Sequence, residues 1–183
     1  MKIPSHKECM ELLDEYNVPE NVRKHSFAVN RVAVFLAKKL QEKGIEINID
    51  LVDRATLLHD LDKIATLKTG DHGQITRKIL EERGSSVIGK IIHQHLFIAV
   101  VDPGLNTWEE KVAGYADKRC NEDQIVSLQE RFEYGNKRYG HIRGYISEAA
   151  EEGWRKLEKE IFEIIELDPN ELAEAIAKQE GKE

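Results

Sequence analysis

The chain has 183 residues, of which 40% are hydrophobic and 33% charged, and this balance predicts one soluble globular domain with a hydrophobic core. Residues 1–147 carry 22 acidic and 22 basic side chains, whereas residues 148–183 carry 12 and 5, so the net charge of −7 lies in the C-terminal fifth. Two cysteines are too few for a disulfide scaffold, and the absence of a long apolar run excludes a membrane span. No signal-peptide core is present, so the expected compartment is the cytoplasm. The uncharged body of the chain disfavours binding of long nucleic acid.

Helical patterns occupy almost the whole chain, and most begin at a capping residue. The first predicted helix begins at the capping box Ser5-x-x-Glu8, and the second spans about Glu20–Lys43 and ends at Gly44. The third runs from a cap at Asn48 or Asp50 through His59, and the fourth runs from a cap at Asp71 to Gly84. The fifth predicted helix begins at Ser85 or Ser86, and the next two begin at the capping boxes Thr107-x-x-Glu110 and Ser127-x-x-Glu130. A long helix then spans about Gly144 to Glu166, and a short last helix begins at Asp168-Pro169.

Strand patterns are weak, since the short runs Ile45–Ile49 and Phe97–Val101 have no convincing partner. We therefore predict an all-α bundle of about eight or nine helices. Residues 1–140 are expected to carry the functional site, and residues 141–183 to form an acidic C-terminal helical extension packed on the same domain.

Several histidines and acids fall on helix faces that should be buried. His25 lies on the apolar stripe of its helix, His59 shares a face with Val52 and Ala55, and His95 follows Ile91 and Ile92 by four and three residues. One histidine on such a face is most simply a core residue bonded to a backbone carbonyl. Several imidazoles together with two inward-facing carboxylates, Asp60 and Asp117, favour a metal site, because a buried carboxylate without a partner is costly.

These residues carry a family resemblance. His25, the adjacent pair His59-Asp60 and then Asp117 resemble the ligand pattern of the HD-domain superfamily of metal-dependent phosphohydrolases, of the HDIG type. The segments 59–63 and 115–118 resemble the family's sequence around its His-Asp pair and its later aspartate. The segments at His72-Gly73 and 91–95 are similar to the extra histidine segments of two-metal members, such as the bacterial symmetrical dinucleoside-tetraphosphate hydrolases.

The resemblance implies a ligand set residue by residue. It assigns one metal to His25, His59, Asp60 and Asp117, and a second metal, bridged by Asp60, to His72 and a histidine of the 93–95 stretch. Side chains two positions apart on a helix project about 200° apart, so His93 and His95 cannot both face the site. The apolar stripe favours His95 and leaves His93 in solvent, while Leu96 after His95 departs from some two-metal members and keeps a one-metal site open.

Imidazole and carboxylate ligands suit one or two divalent transition-metal ions, namely Mn, Fe, Co, Ni or Zn. The expected catalytic residues are Asp60 and, three positions later on the same helix face, Lys63, which is placed to bind a phosphate oxygen or to extend into solvent. Lys118 and Arg131 are weaker candidates for phosphate binding. Asp62 either adds a third carboxylate or, as we favour, faces water.

The resemblance implies an enzyme that hydrolyses a small phosphate ester, with a nucleotide as the expected substrate, by metal-activated water. Phosphomonoester and phosphodiester or pyrophosphate bonds are both open as targets. The alternatives are a metal- and nucleotide-binding module without turnover and, less favoured, a di-iron oxygenase. The expected partner is the small phosphorylated substrate, without membrane or long nucleic acid, and a homodimer is left open.

Overall fold

The computed structural model describes residues 2–66, 73–93, 96–101, 104–139 and 146–181. The all-α prediction is confirmed. The described residues form α1 His6–Glu15, α2 Glu20–Glu42, α3 Ile49–Leu58, α4 Lys63–Thr66, α5 Gln74–Glu82, α6 Ser86–His93, α7 Trp108–Lys118, α8 Leu128–Tyr139, α9 Glu148–Ile165 and α10 Leu172–Glu180. Two 3₁₀ turns cover Phe97–Val100 and Pro169–Glu171, and a two-stranded antiparallel hairpin joins β1 Cys120–Asn121 to β2 Gln124–Ile125.

The helix starts follow the capping chemistry of the sequence. Ser5 and Thr107 form complete capping boxes with Glu8 and Glu110, and the Asn48 side chain accepts from the Leu51 amide at 3.1 Å to open α3. These contacts satisfy amide groups that have no partner inside the helix. The predicted start of the long C-terminal helix at Gly144 lies outside the described residues, and the described part begins at Glu148 behind a Ser147 cap.

Helix α2 is central to the bundle. Helices α3, α7 and α9 all pack against it, and α3 and α7 also contact each other. One apolar cluster joins α2, α7, α9 and α10, and a second joins α1, α3, α5 and α6. The buried face of α2 from Ala28 to Leu40 therefore lies in apolar surroundings. The N-terminal part of α2 and the C-terminal ends of α3 and α7 instead bring polar residues together.

The C-terminal extension is packed tightly on this bundle. A Cβ at Gly153 would lie 2.8 Å from a methyl group of Val100, so α9 approaches the 3₁₀ turn more closely than any side chain at position 153 would allow. The buried Trp154 next to it donates its indole N–H to the Phe97 carbonyl at 2.8 Å. The division of the chain at residues 140 and 141 stays a prediction.

None of the helices in the described residues combines the length and the apolarity that crossing a membrane requires.

Candidate metal centre

His25 reaches the centre from the first half of α2. Its Nδ1 donates to the backbone carbonyl of Glu122 at 2.7 Å, and its Nε2 lies 3.0 Å from Asp117 Oδ1. Glu122 is in the turn of the β1–β2 hairpin and has a positive φ of 52°. Metal-binding histidines commonly donate their second ring N–H to a carbonyl in this way, which fixes the ring and directs the other nitrogen to the ion.

His59 ends α3 and is held in the same manner by its own helix. Its Nδ1 donates to the Thr56 carbonyl at 2.8 Å. Its Nε2 lies 3.6 Å from Asp60 Oδ2 and 3.7 Å from Asp117 Oδ1. Burial lowers the pKa of His59 against the opposing effect of both carboxylates. The imidazole is therefore neutral near pH 7, with its Nε2 lone pair directed at the two acids.

The spacing of the donor atoms fits a single ion. Donor atoms of His25, His59 and Asp60 all lie within 4.8 Å of one another, and the His25 Nε2–Asp60 Oδ2 distance is 3.8 Å. Metal–ligand bonds of about 2.0–2.2 Å separate neighbouring ligand atoms by about 3.0–3.5 Å. The observed separations of 3.0–3.8 Å thus require only a small contraction to surround one cation.

Two lysines contact the carboxylates from outside the cluster. Lys63 donates to Asp60 Oδ2, and the fully buried Lys118 donates to Asp117 Oδ2. Burial acts to raise the pKa of Asp117, but the positive charges of Lys118 and Arg131 hold that pKa well below its ordinary value. Asp117 is therefore ionised over the physiological range, with Oδ1 directed at the two histidines.

A cavity of about 610 Å³ opens beside the cluster, and His25, Asp60 and Asp117 line it. Its other described residues include both apolar and charged side chains. The apolar ones include Val22, Leu96, Phe97 and Ile98. The basic ones are Lys24, Lys63, Lys118, Arg131 and Arg138, and the acidic ones besides the cluster are Glu122 and Asp123. A ligand that is partly apolar and partly anionic matches this lining.

The sequence model of the HD domain family matches residues 22–135. The chain belongs to the HD domain family. This family consists in general of metal-dependent phosphohydrolases. The chain is also 30% identical over 131 residues to an uncharacterized protein of Methanocaldococcus jannaschii, an alignment that covers 61% of this chain and 77% of that protein. No solved structure matches the chain.

The HD domain brings four predicted ligands together, namely His25, His59, Asp60 and Asp117. The remaining two predicted ligands, His72 and His95, lie outside the described residues, so the second metal and the choice between His93 and His95 stay predictions. His93 at the end of α6 is half-buried, and its Nδ1 is shielded from solvent with no hydrogen bond within the described chain. It is thus less exposed than its predicted position on the solvent side of the helix implies.

The favoured interpretation of Asp62 was wrong. Asp62 is only 2% exposed, and it accepts from the Gly73 amide at 3.1 Å and from the Thr76 amide at 3.0 Å. Its carboxylate therefore caps the N-terminus of α5, where a negative charge is favourable. Asp62 is neither exposed to solvent nor part of the described ligand cluster. The cap that the sequence suggested, Asp71, lies outside the described residues.

Sequence patterns did not identify the two backbone acceptors behind the histidines. The Thr56 carbonyl could have been found, because it lies three residues before His59 on the same helix. The Glu122 carbonyl is 97 positions away from His25 in the chain, and no sequence pattern marks it.

Proposed function

We propose that this HD domain is a metal-dependent phosphohydrolase that hydrolyses a small phosphate ester, with a nucleotide as its substrate class. The observation that carries the proposal is the convergence of two carbonyl-bonded imidazoles and two buried carboxylates at the edge of a cavity with basic residues. Membership of a family of phosphohydrolases supports the same chemistry.

In the proposed centre, His25, His59, Asp60 and Asp117 hold the ion. A divalent ion bound there would supply a Lewis acid for the phosphoryl oxygens and would lower the pKa of a coordinated water toward about 7. The ligand set contains both imidazole nitrogen and carboxylate oxygen, which suits Mn, Fe, Co, Ni or Zn better than Mg. A second ion at His72 and His95 is part of the proposal on the family resemblance alone.

The protein side chains then have separate tasks. The Glu122 and Thr56 carbonyls keep the N–H of each imidazole on Nδ1, so that both Nε2 atoms face the centre. Lys118 holds one oxygen of Asp117 and leaves the other for the ion. Lys63 is partly exposed beside Asp60, and we assign it to a non-bridging oxygen of the substrate phosphate.

The size and lining of the cavity support a nucleotide over a bare phosphate. Its volume of about 610 Å³ lies within the range typical of pockets for small organic ligands. Phe97 and Ile98 give it an apolar portion next to the basic residues. Dinucleoside polyphosphates, which the symmetrical hydrolases of the superfamily cleave, are one class to test.

The direct test is hydrolysis of an aryl phosphate and of a bis-aryl phosphate by the Mn²⁺-loaded protein, followed by a panel of nucleotides. We expect turnover that disappears with a chelator and returns with added metal. The ratio of the two aryl rates decides between phosphomonoester and phosphodiester chemistry. Binding of Mn²⁺ and of a nucleotide in calorimetry without any hydrolysis would contradict the proposal and establish a binding module instead.

A further inference from the structure

Arg131 on α8 lines the same cavity as the metal ligands, on the side of Phe97. The central carbon of its guanidinium group lies 5.3 Å from the centre of the Phe97 ring. The residue is half-buried, and its Nε is shielded from solvent without a hydrogen-bond partner in the described chain. A buried donor without an acceptor destabilises the folded state, because the donor loses its hydrogen bond to water on folding and gains no other.

Arg131 forms no ion pair with a carboxylate of the described residues. The nearby carboxylate of Asp117 is already engaged, since Oδ1 faces His25 and Oδ2 accepts from Lys118. Lys118 itself lies 4.4 Å from the centre of the same Phe97 ring. Lys118 and Arg131 thus share one aromatic ring beside Asp117, and an ion bound by that carboxylate would add further positive charge.

We propose that Arg131 is a phosphate-binding residue of this site, and that its Nε–H and a neighbouring N–H hold two oxygens of the phosphoryl group next to the metal ligands. The inference rests on the proposed function, because it takes the ligand to be a phosphate ester. The planar guanidinium presents parallel N–H groups that match two phosphate oxygens. Contact with the Phe97 ring restricts the group before the ligand arrives.

Calorimetric titration of inorganic phosphate into the Mn²⁺-loaded protein tests the assignment. We expect Arg131→Met to weaken phosphate binding by about ten- to 100-fold, as loss of hydrogen bonds to a charged group implies. Its Mn²⁺ affinity, titrated separately, should match that of the unmodified protein. Lys137→Met is the matched control, because Lys137 is on the same helix, is exposed and does not line the cavity.

Arg131→Lys provides a second variant that retains the charge. We expect it to bind phosphate with an affinity between those of Arg131→Met and the unmodified protein, because one ammonium replaces a two-donor contact. Unchanged phosphate affinity in both folded variants, as judged by circular dichroism, would overturn the assignment. So would loss of Mn²⁺ binding in Arg131→Lys, since Arg131 would then support the metal ligands.

The outcome is separable from that of the proposed function. Phosphate binding that depends on Arg131 in a protein that hydrolyses no ester would sustain this inference while the proposed catalysis fails. Hydrolysis with phosphate binding that is independent of Arg131 would sustain the catalysis and remove Arg131 from the site.

Discussion

Two buried polar clusters lie at the C-terminal end of α7, and they differ in their balance of donors and acceptors. In the cluster around Arg119, the guanidinium donates to the Tyr115 hydroxyl at 2.6 Å and to the carbonyls of Val126 and Pro169 at 2.6 and 2.9 Å. Tyr115 in turn donates to Glu158 at 2.5 Å. Burial raises the pKa of Tyr115 far above its ordinary value, so the hydroxyl keeps its proton.

The cluster around Asp117 has the opposite balance. The Nε2 atoms of His25 and His59 lie 3.0–3.8 Å from carboxylate oxygens of Asp60 and Asp117. Groups that mainly accept have gathered there, and a shared cation is the partner that such a set suits. Burial of polar residues alone therefore does not identify a site, because Arg119 and Tyr115 are as buried as Asp117 and join α7 to α9 through Glu158.

The largest expected effect comes from removing a central acceptor. Asp60→Ala should reduce metal retention and turnover by more than about 100-fold, which exceeds the usual cost of changing only a residue behind a ligand. The helical circular dichroism should remain largely intact, since Asp60 is in a turn after α3. Elemental analysis of the purified variant measures the metal. Full metal content and turnover in Asp60→Ala would refute the assignment of this cluster.

A substitution in the Arg119 cluster should lower the stability of the fold and leave metal binding unchanged. Arg119→Met removes the ion-pair partner of Glu158 and leaves the Val126 and Pro169 carbonyls without their donor. It should lower the free energy of unfolding by about 3 kcal/mol, as for other broken buried ion pairs. Urea denaturation measures this loss, and Mn²⁺ titration of the folded variant should give an unchanged affinity. A loss of metal as large as in Asp60→Ala would show that the two clusters are not separate.

Acidic pH should weaken the metal-free protein in two stages. The pKa of the buried His59 is lowered from 6.5, so the unfolded chain takes up its proton first and stability falls as the pH drops below 6.5. The pKa of Asp117 is lowered from 3.8, so its contribution is lost only below 3.8. Urea denaturation across this range should show both stages.

The variant His59→Gln isolates the first stage. It should remove the contribution of His59 to the loss of stability that begins as the pH falls below 6.5. The further loss of stability below pH 3.8, which comes from Asp117, should remain. His6→Gln is the matched control, because His6 is exposed and should leave both stages in place. An unaltered first stage in His59→Gln would mean that another group takes up the proton.

The smallest expected effect concerns Asp62, which is close to the metal ligands in sequence but caps a helix. Asp62→Ala should lower the free energy of unfolding by about 1 kcal/mol, as removal of other helix caps does. The Mn²⁺ affinity should be retained. A large fall in that affinity would return Asp62 to the set of ligands.

Much of the fold could be predicted because capping and helical periodicity are local. The cap residues Ser5 and Thr107 were found correctly, and Asn48 was one of the two caps predicted for α3. The faces of α2 and α7 directed His25 and Asp117 inward. The β1–β2 hairpin could not be predicted, since strands of two residues have no periodicity. Asp62 was misassigned because its acceptor role depends on amides 11 and 14 positions later in the chain.

The contact between His25 and the hairpin turn determines what kind of mutation can disturb it. Replacing the Glu122 side chain leaves the carbonyl in place, so point substitutions there can be neutral while the imidazole stays correctly oriented. Inserting or deleting one residue in the turn would instead move the oxygen away from Nδ1. The number of residues in this hairpin is therefore under tighter constraint than their identity.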